Sequence, residues 1–225
     1  MNLIKRNSLI ALSFDDGYIE YVKAAYLLST IGVKATFYLN THIREWEKRP
    51  LLTTKQDLVI EIAKLGHEIG SHTCTHKDLR KCNRGTLIYE LKNSKMFLED
   101  LLGKEVLGFA YPWGFYTPKV LEEVSKYYTY ARTTELMNLN VVSLLNSPPR
   151  SRYELGAIPG LAIKSSGLPK LLKDSMRVRH KHIILYTHVV QPVKLITFIN
   201  LMKSLNAKFV TVYELFAHLA KEYVL

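Results

Sequence analysis

The sequence predicts an α/β fold, a closed or nearly closed barrel of seven or eight parallel strands with helices on its outside. Two observations support this fold class. Short apolar runs rich in β-branched and aromatic residues alternate with longer amphipathic stretches, as expected for repeated strand–helix units. The 225 residues suffice for that many units within one domain spanning residues 1–225. A doubly wound open sheet is the second choice for the same pattern.

The predicted strands are the short apolar runs, and Pro159-Gly160 interrupts the sixth of them. β-Branched and aromatic side chains favour strands because they pack well on a pleated surface. The eight runs are Leu9–Phe14, Ala35–Asn40, Glu68–Ser71, Leu107–Tyr111, Tyr128–Thr133, Leu155–Ile163, His182–Thr187 and Lys208–Val210.

The predicted helices are the intervening stretches, in which apolar residues recur three or four positions apart. Gly103 ends the longest of them, and Thr53 or Thr54 is a suitable N-cap for another. Two long stretches, His42–Leu52 and Glu135–Tyr153, are predicted to be irregular loops of the kind that often carry function. The helices are Ile19–Ile31, Thr53–Leu65, Thr86–Leu102, Thr117–Tyr127, Lys170–Val178, Val193–Leu205 and Val212–Tyr223.

The chain is basic, with 31 Lys and Arg against 20 Asp and Glu and a net charge of +11. The segment from Arg150 to Lys181 holds eight basic and two acidic residues, which account for more than half of that excess. A local basic surface of this kind favours an anionic or phosphate-bearing substrate. Nucleic-acid binding would rest on charge alone, because the sequence has no helix-turn-helix, zinc-finger or RNA-binding signature. No nucleic-acid partner is therefore expected.

The sequence lacks the usual features of secreted and membrane proteins. Its two cysteines, Cys74 and Cys82, cannot form a disulfide scaffold. The first eight residues hold no apolar signal-peptide core, and no apolar run approaches the roughly 18 residues that a membrane span needs. We therefore expect an intracellular, cytoplasmic protein without a membrane span, whose oligomeric state the sequence does not determine.

Two adjacent carboxylates follow the first predicted strand, in the run Ser13-Phe14-Asp15-Asp16-Gly17. Charges at the end of a buried strand are unfavourable unless a metal ion or a catalytic role compensates them. In α/β barrels, functional sites lie at the carboxyl ends of the strands. Taken alone, however, Asp-Asp-Gly is more often a solvated turn with Asp as a helix N-cap.

Two histidines, His72 and His76, follow the third predicted strand. Residues four apart lie on one face of a helical turn, so both imidazoles can bind one metal ion. Such a pair is usually chance in a chain with eight histidines, but both motifs begin where a strand ends and therefore share one rim of the barrel. One carboxylate and two imidazoles leave a position for water, as in hydrolytic Zn²⁺ sites, and the other carboxylate can act as general base.

Two further strands end in groups suited to hydrolysis. The run Tyr111-Pro112-Trp113-Gly114 offers an aromatic wall and, at Trp113, a backbone N–H that can donate to an oxyanion. His188 follows the strand His182–Thr187 and is a candidate general acid. A plain strand-to-helix turn and a structural histidine are the alternatives. Five histidines without partnered spacing are treated as structural, namely His42, His67, His180, His182 and His218.

These motifs resemble the NodB-homology domain of the polysaccharide deacetylases, carbohydrate esterase family 4. Ser13-Phe14-Asp15-Asp16-Gly17 matches the family's Thr/Ser-Phe-Asp-Asp-Gly motif, and His72-Thr73-Cys74-Thr75-His76 matches its His-Ser/Thr-x-x-His motif. The resemblance spans roughly Leu9 to His188. It implies a deformed (β/α) barrel that binds a divalent metal, usually zinc, with Co²⁺, Ni²⁺ or Mn²⁺ as alternatives. The implied metal ligands are Asp16, His72 and His76.

The resemblance also implies roles for the groups around the metal. Asp15 would be the catalytic base, the N–H of Trp113 the oxyanion donor, and His188 the acid that protonates the leaving amine. The predicted substrate-binding residues are Tyr111, Pro112 and Trp113, together with Leu185 and Tyr186 in the acetyl pocket.

The sequence departs from the family's pattern at an arginine, which braces the catalytic Asp in chitin- and peptidoglycan-type members. Ala110 occupies that place here, and the usual Asp-containing fourth motif is also missing. Arg132 lies in the next predicted strand, and our hypothesis is that it reaches across and pairs with Asp15. The alternative for Arg132 is a surface or loop-anchoring role.

The resulting prediction is a metal-dependent hydrolase that removes an N-acetyl group from an amino sugar or another N-acetylated saccharide. A second enzymatic hypothesis keeps the site but hydrolyses another non-peptide C–N bond, in a cyclic imide or a purine-breakdown product. A third is a binding module with a decayed site, which the missing arginine suggests and the intact ligand set opposes. The expected partner is a saccharide or small-molecule substrate.

Overall fold

The structure, a computed structural model, describes residues 8–134, 151–159 and 182–222. Its parallel strands are β1 (Ser8–Phe14), β2 (Thr36–Leu39), β3 (Glu68–Ser71), β4 (Gly108–Ala110), β5 (Tyr130–Thr134), β6 (Leu155–Pro159), β7 (His182–Thr187) and β8 (Ala207–Val210). Strands β1 to β7 close a barrel in chain order, since β1 pairs with both β2 and β7, while β8 adds to β1. The predicted parallel barrel is confirmed, and the alternative of an open sheet is wrong.

The carboxyl end of β1 lies at the rim of the barrel between two neighbours. Strand β1 pairs with β7 along nearly its whole length, from Leu9 beside His182 to Phe14 beside Thr187. On its other side, the first half of β1 pairs with β8 and only its last two residues pair with β2. Strand β8 therefore covers the amino half of β1 on this side, where β2 does not pair with it. The residues after Phe14 emerge at the carboxyl rim.

Six α-helices occur in the described residues. The longest begins with the Asn83 side chain accepting a hydrogen bond from the Thr86 N–H over 2.8 Å, and it ends at Gly103, with a φ of 62°. No helix in this part of the chain is both long and apolar enough to cross a membrane. The helices are α1 (Tyr21–Thr30), α2 (Gln56–Lys64), α3 (Arg84–Leu102), α4 (Pro118–Val124), α5 (Pro192–Ser204) and α6 (Val212–Glu222).

The predicted irregular loop His42–Leu52 contains a short antiparallel hairpin instead. Its strands, Glu45–Trp46 and Arg49–Pro50, are joined by Glu47 and Lys48, which both have positive φ (50° and 61°). Two left-handed residues in a row are the geometry of a type I′ turn, which usually selects Asn and Gly. Glu-Lys is not such a signal, so the hairpin could not be recognised from the sequence.

Other element boundaries differ from the predictions by a few residues. Helix α2 begins at Gln56, after a 3-10 turn at Leu52–Thr54, so neither predicted threonine is its N-cap. Leu155–Pro159 is the described part of the sixth predicted strand. The predicted helix Lys170–Val178 and most of the predicted loop Glu135–Tyr153 lie outside the described residues.

Side chains along each barrel strand alternate between two layers. In β1, Ile10, Leu12 and Phe14 pack outward with the helices, whereas Ala11 faces the barrel interior. Helix α6 closes the amino end of the barrel with four side chains, Val212, Leu215, Phe216 and Leu219. Because the amino end is closed in this way, the carboxyl rim is left for the polar groups that follow the strands.

Candidate active site

Chain segments that leave the carboxyl ends of β1, β3 and β7 bring five polar side chains together. Asp15 and Asp16 follow β1, His72 and His76 follow β3, and His188 follows β7. Asp16 and His76 have left-handed backbones, with φ of 71° and 56°. Such a conformation costs roughly 1–3 kcal/mol in a residue other than glycine and persists where the surroundings hold it, often at functional sites.

Asp16, His72 and His76 form a buried group that we call the carboxyl-end cluster. The Asp16 Oδ1 atom lies 3.5 Å from His72 Nε2 and 3.2 Å from His76 Nε2. All three residues are at most 5% exposed. The Nδ1 atom of His72 lies 2.8 Å from the carbonyl oxygen of Ala110, a contact that fixes the ring with Nε2 towards the carboxylate. Among the described residues, none donates a hydrogen bond to Asp16 Oδ1.

The donor set of the carboxyl-end cluster fits a divalent metal ion. Three potential ligand atoms face one another in a buried space, so protons or a cation must lie between them. Burial raises the pKa of Asp16, but the contacts with both imidazoles outweigh this effect and hold that pKa well below its usual range. Burial lowers the pKa of His76. Ionised carboxylate and neutral imidazole are the forms that bind zinc and its neighbours in the first transition row.

The predicted contact between Arg132 and Asp15 is present. The Nη2 atom of Arg132 donates to Asp15 Oδ1 over 2.5 Å, and its Nη1 donates to the Thr133 carbonyl over 3.2 Å. The arginine is fully buried, and its guanidinium carbon lies 5.1 Å from the Tyr38 ring centroid and 5.4 Å from that of Tyr186. Two aromatic rings thus flank the cation beside Asp15, and the alternative of a surface residue is wrong.

Polar side chains continue through the barrel interior below the arginine. The Tyr38 hydroxyl lies 3.1 Å from that of Tyr130, which donates to Glu68 over 2.6 Å. Glu68 also accepts from the Thr36 hydroxyl over 2.7 Å and from the backbone N–H of Tyr213, in α6, over 3.0 Å. Hydrogen bonds therefore link the middle of the barrel to its closed amino end. No sequence motif points to these residues, because they are spread over three strands and a helix.

His188 is the most exposed of the five polar residues. Its Nε2 atom lies 3.7 Å from Asp16 Oδ2, and 47% of its side chain is exposed. Arg49 of the hairpin donates to the His188 carbonyl over 3.1 Å, and it also pairs with Glu20 and lies 3.3 Å from the centre of the Tyr18 ring. The hairpin thus fastens the segment that carries His188.

The imidazole of His76 contacts two tryptophan rings. Its centroid is 4.3 Å from that of Trp46, in the hairpin, and 4.4 Å from that of Trp113. Trp113 has a φ of 54°, and the Thr134 hydroxyl donates to its carbonyl over 3.0 Å. Since Trp113 is 45% exposed, its ring forms an open aromatic wall beside the carboxyl-end cluster.

Two buried polar residues that no sequence motif indicates support the loops of the site. The Asn40 side-chain amide donates to the Asp16 carbonyl over 3.2 Å. Glu90, in α3, accepts from the N–H and the hydroxyl of Thr75 over 2.8 and 2.5 Å. The glutamate lies beside Leu87 and Leu91 on the buried face of α3, and a charge at such a position is the signal that could have identified it. The asparagine offers no comparable signal.

The structure does not bring Tyr111 and Leu185 to the site, which corrects their prediction as substrate-binding residues. Tyr111 lies in the outer apolar layer, with its ring centroid 5.1 Å from that of Tyr116, and Leu185 belongs to the same layer. The cause is the alternation of side chains along a strand. Tyr186, next to Leu185, is on the opposite face with Arg132 and His188 nearby, and Pro112 is buried in the turn after β4.

A parallel barrel with a carboxylate–imidazole cluster at its carboxyl rim has the architecture of a metal-dependent barrel enzyme. Residues 4–131 match the profile of a family described as polysaccharide deacetylase. That range is more than half of the 225 residues. The chain belongs to the polysaccharide deacetylase family, as its motifs predicted.

Curated relatives share part of their length with this chain. A chitin deacetylase of Pestalotiopsis sp is 36% identical over 95 residues, which are 42% of this chain and 30% of that protein. A peptidoglycan-N-acetylglucosamine deacetylase of Bacillus cereus is 30% identical over 104 residues, which are 44% of this chain and 34% of that protein. The chain spans about a third of the length of these two relatives.

Solved structures share the fold over almost the whole chain. The Xyl-CE4 domain of a multidomain xylanase from the hindgut metagenome of Trinervitermes trinervoides matches with a TM-score of 0.64 and 19% identity, over 95% of this chain and 91% of that one. A CE4 family pseudoenzyme from Bacillus anthracis matches with a TM-score of 0.63 and 17% identity, over 94% and 66%. At these identities the likeness concerns the fold alone, so the site residues must carry any statement about activity.

Proposed function

We propose that this chain is a deacetylase that hydrolyses the N-acetyl group of an amino sugar within a saccharide. The observation that carries the proposal is the meeting of Asp15 with the carboxyl-end cluster at the rim of a polysaccharide deacetylase barrel. Relatives named as chitin and peptidoglycan deacetylases favour acetylated amino sugars over other C–N substrates. The intact ligand set also opposes the hypothesis of a decayed binding module.

Asp16, His72 and His76 hold one divalent metal ion in this proposal, with Zn²⁺ as the first choice and Co²⁺, Ni²⁺ or Mn²⁺ as alternatives. The fit rests on a buried carboxylate oxygen without a hydrogen bond from the described residues and on two imidazoles directed at it. When bound, such an ion would polarise the acetyl carbonyl and lower the pKa of a water molecule.

Asp15 is the general base in this mechanism. Its carboxylate is buried beside the carboxyl-end cluster, where Arg132 holds one oxygen and compensates the charge. The other oxygen accepts the proton of the attacking water. Arg132 thereby performs, from strand β5, the bracing role that Ala110 cannot perform from strand β4.

His188 is the general acid that protonates the leaving amine. Its exposed ring borders the buried cluster, and Arg49 restrains its backbone, so the ring can meet a bound saccharide at a defined place. The backbone N–H of Trp113 donates to the oxyanion at the turn that follows β4. Tyr186 and Pro112 line the acetyl pocket.

Acetate release from oligomers of N-acetylglucosamine tests this proposal. Asp15→Asn is expected to lower kcat by about 10²–10⁴-fold, the usual contribution of a general base, while metal binding is retained. Asp57→Asn, the same change at an exposed position in α2, is the matched control and should leave kcat unchanged. Wild-type turnover in Asp15→Asn would refute its role. If the wild type releases no acetate with any of the four metals, the proposed deacetylase function is refuted.

Two expectations stay predictions. An anionic substrate was inferred from the basic segment between Arg150 and Lys181, most of which lies outside the described residues. The cytoplasmic location was inferred from the sequence only, and fractionation of the producing cells would test it.

A further inference from the structure

A second group of potential metal ligands lies at the opposite, amino end of the barrel. His182 begins β7, and His218 and Glu222 lie four residues apart on α6. The His182 Nε2 atom is 3.2 Å from Glu222 Oε2, and the His218 Nε2 atom is 3.6 Å from Glu222 Oε1. We call these three residues the amino-end cluster. The proposed deacetylation does not use any of them.

The spacing of these atoms resembles that of ligands around one tetrahedral ion. Zinc–ligand bonds of about 2.0–2.1 Å place neighbouring ligand atoms about 3.3–3.4 Å apart. The three ligand atoms of the amino-end cluster all lie within 4.8 Å of one another. The two imidazoles approach different oxygens of the Glu222 carboxylate, over 3.2 and 3.6 Å, so each of these two contacts is close to that separation. In the carboxyl-end cluster the distances are similar, 3.5 and 3.2 Å, but both imidazoles approach the same carboxylate oxygen.

The residue types and their exposure select a class of ion. Imidazole nitrogens suit zinc, copper, nickel and iron, whereas calcium and magnesium prefer oxygen ligands throughout. The glutamate supplies a compensating negative charge. The side chains of His182, Glu222 and His218 are 16%, 25% and 44% exposed. An ion can therefore enter from solvent, and water can complete its coordination.

We propose that the amino-end cluster is a second metal site, which takes a zinc-class divalent transition ion and has a structural role. It would join the first residue of β7 to the last turn of α6. At the other end of α6, the N–H groups of Val212 and Tyr213 donate to the Thr36 hydroxyl over 2.8 Å and to the Glu68 carboxylate over 3.0 Å. Helix α6, which closes the barrel, would thus be held at its start by these hydrogen bonds and at its last turn by the ion.

The metal stoichiometry of the full chain tests this proposal. After removal of metal with a chelator, equilibrium dialysis against Zn²⁺ and elemental analysis should give two ions per chain. His218→Ala should give one, and its exposed position makes loss of folding a minor concern. Glu222→Gln, which keeps the shape and removes the charge, should also give one. Lys221→Ala, an exposed change on the same helix, is the control and should keep two.

This experiment can reject either of the two proposed metal sites without rejecting the other. His72→Ala should lose the carboxyl-end ion and keep the other. One ion in the wild type that is lost in His72→Ala and kept in His218→Ala would overturn the second site. One ion that is kept in His72→Ala and lost in His218→Ala would support the second site. It would also count against the metal-dependent mechanism proposed for the carboxyl-end cluster. Zinc should also raise the Tm of His72→Ala, and it should not raise that of the double variant His72→Ala/His218→Ala.

Discussion

The two ends of the barrel carry clusters of similar ligand spacing in different surroundings. In the carboxyl-end cluster all three residues are at most 5% exposed, and Asp16 and His76 have left-handed backbones. In the amino-end cluster the side chains are partly exposed and belong to a regular strand and a regular helix. The ligands of a catalytic ion must be held in one geometry, whereas an ion that only joins two elements can lie among partly exposed side chains. Strain and burial therefore separate a proposed reaction centre from a proposed structural site.

The largest expected difference between the two ends is in activity. His72→Ala removes a buried ligand, and acetate release should fall by roughly 10³-fold or more, because a catalytic metal stabilises transition-state charge by several kcal/mol. His218→Ala should keep the wild-type kcat in zinc-containing buffer. Steady-state acetate release at saturating substrate measures both variants. Equal losses would show that the two clusters do not differ in role.

The next difference concerns the buried ion pair beside the carboxyl-end cluster. Arg132→Met leaves Asp15 buried without its cation and should lower the free energy of unfolding by about 3–5 kcal/mol. The double variant Arg132→Met/Asp15→Asn should recover most of this loss, because no uncompensated charge remains. Urea denaturation measures both. The partly exposed pair of Arg49 and Glu20 provides the comparison, since Glu20→Gln should cost at most about 1 kcal/mol. An Arg132→Met variant as stable as the wild type would contradict the assignment.

The smallest expected effect lies at the amino end and depends on pH. His67, buried just before β3, accepts a hydrogen bond from the Ala35 N–H over 3.1 Å, and its Nε2 atom lies 2.9 Å from the Ala25 carbonyl oxygen. Burial lowers the pKa of His67, so below about pH 6.5 the unfolded chain binds this proton more readily than the folded chain. Stability should therefore fall as the pH decreases from about 7 to the lowered pKa, below which the loss is complete.

His67→Gln should reduce this pH dependence and leave acetate release at neutral pH unchanged. Urea denaturation of both proteins between about pH 7.5 and about pH 5 measures it. Identical pH dependence in the two proteins would show that the ring does not titrate as inferred. A loss of activity in His67→Gln would show that the amino end is not purely structural.

The position of the proposed reaction centre could be predicted because its groups follow the carboxyl ends of short apolar strands. Once parallel strands close a barrel, Asp15, His72 and His188 must share one rim. The contact of Arg132 with Asp15 could also be predicted, because Ala110 replaces the arginine that braces this carboxylate in related enzymes and Arg132 lies in the next strand. These inferences depend on element order, which the alternation of strands and helices reveals directly.

Side-chain direction and long-range closure could not be predicted in the same way. A shift of one residue moves a side chain to the other face of a strand, which explains the errors at Tyr111 and Leu185. The amino-end cluster was missed because His182 and His218 lie in different elements that meet only when α6 docks under the closed barrel. Such contacts depend on tertiary packing and have no local sequence pattern.

Both tryptophans of the chain, Trp46 and Trp113, contact the ring of His76. Indole emission responds to a neighbouring imidazole and to the charge on it. The tryptophan fluorescence of this protein therefore originates entirely beside His76. Tryptophan emission can therefore follow the proposed ion uptake at this end of the barrel without any label.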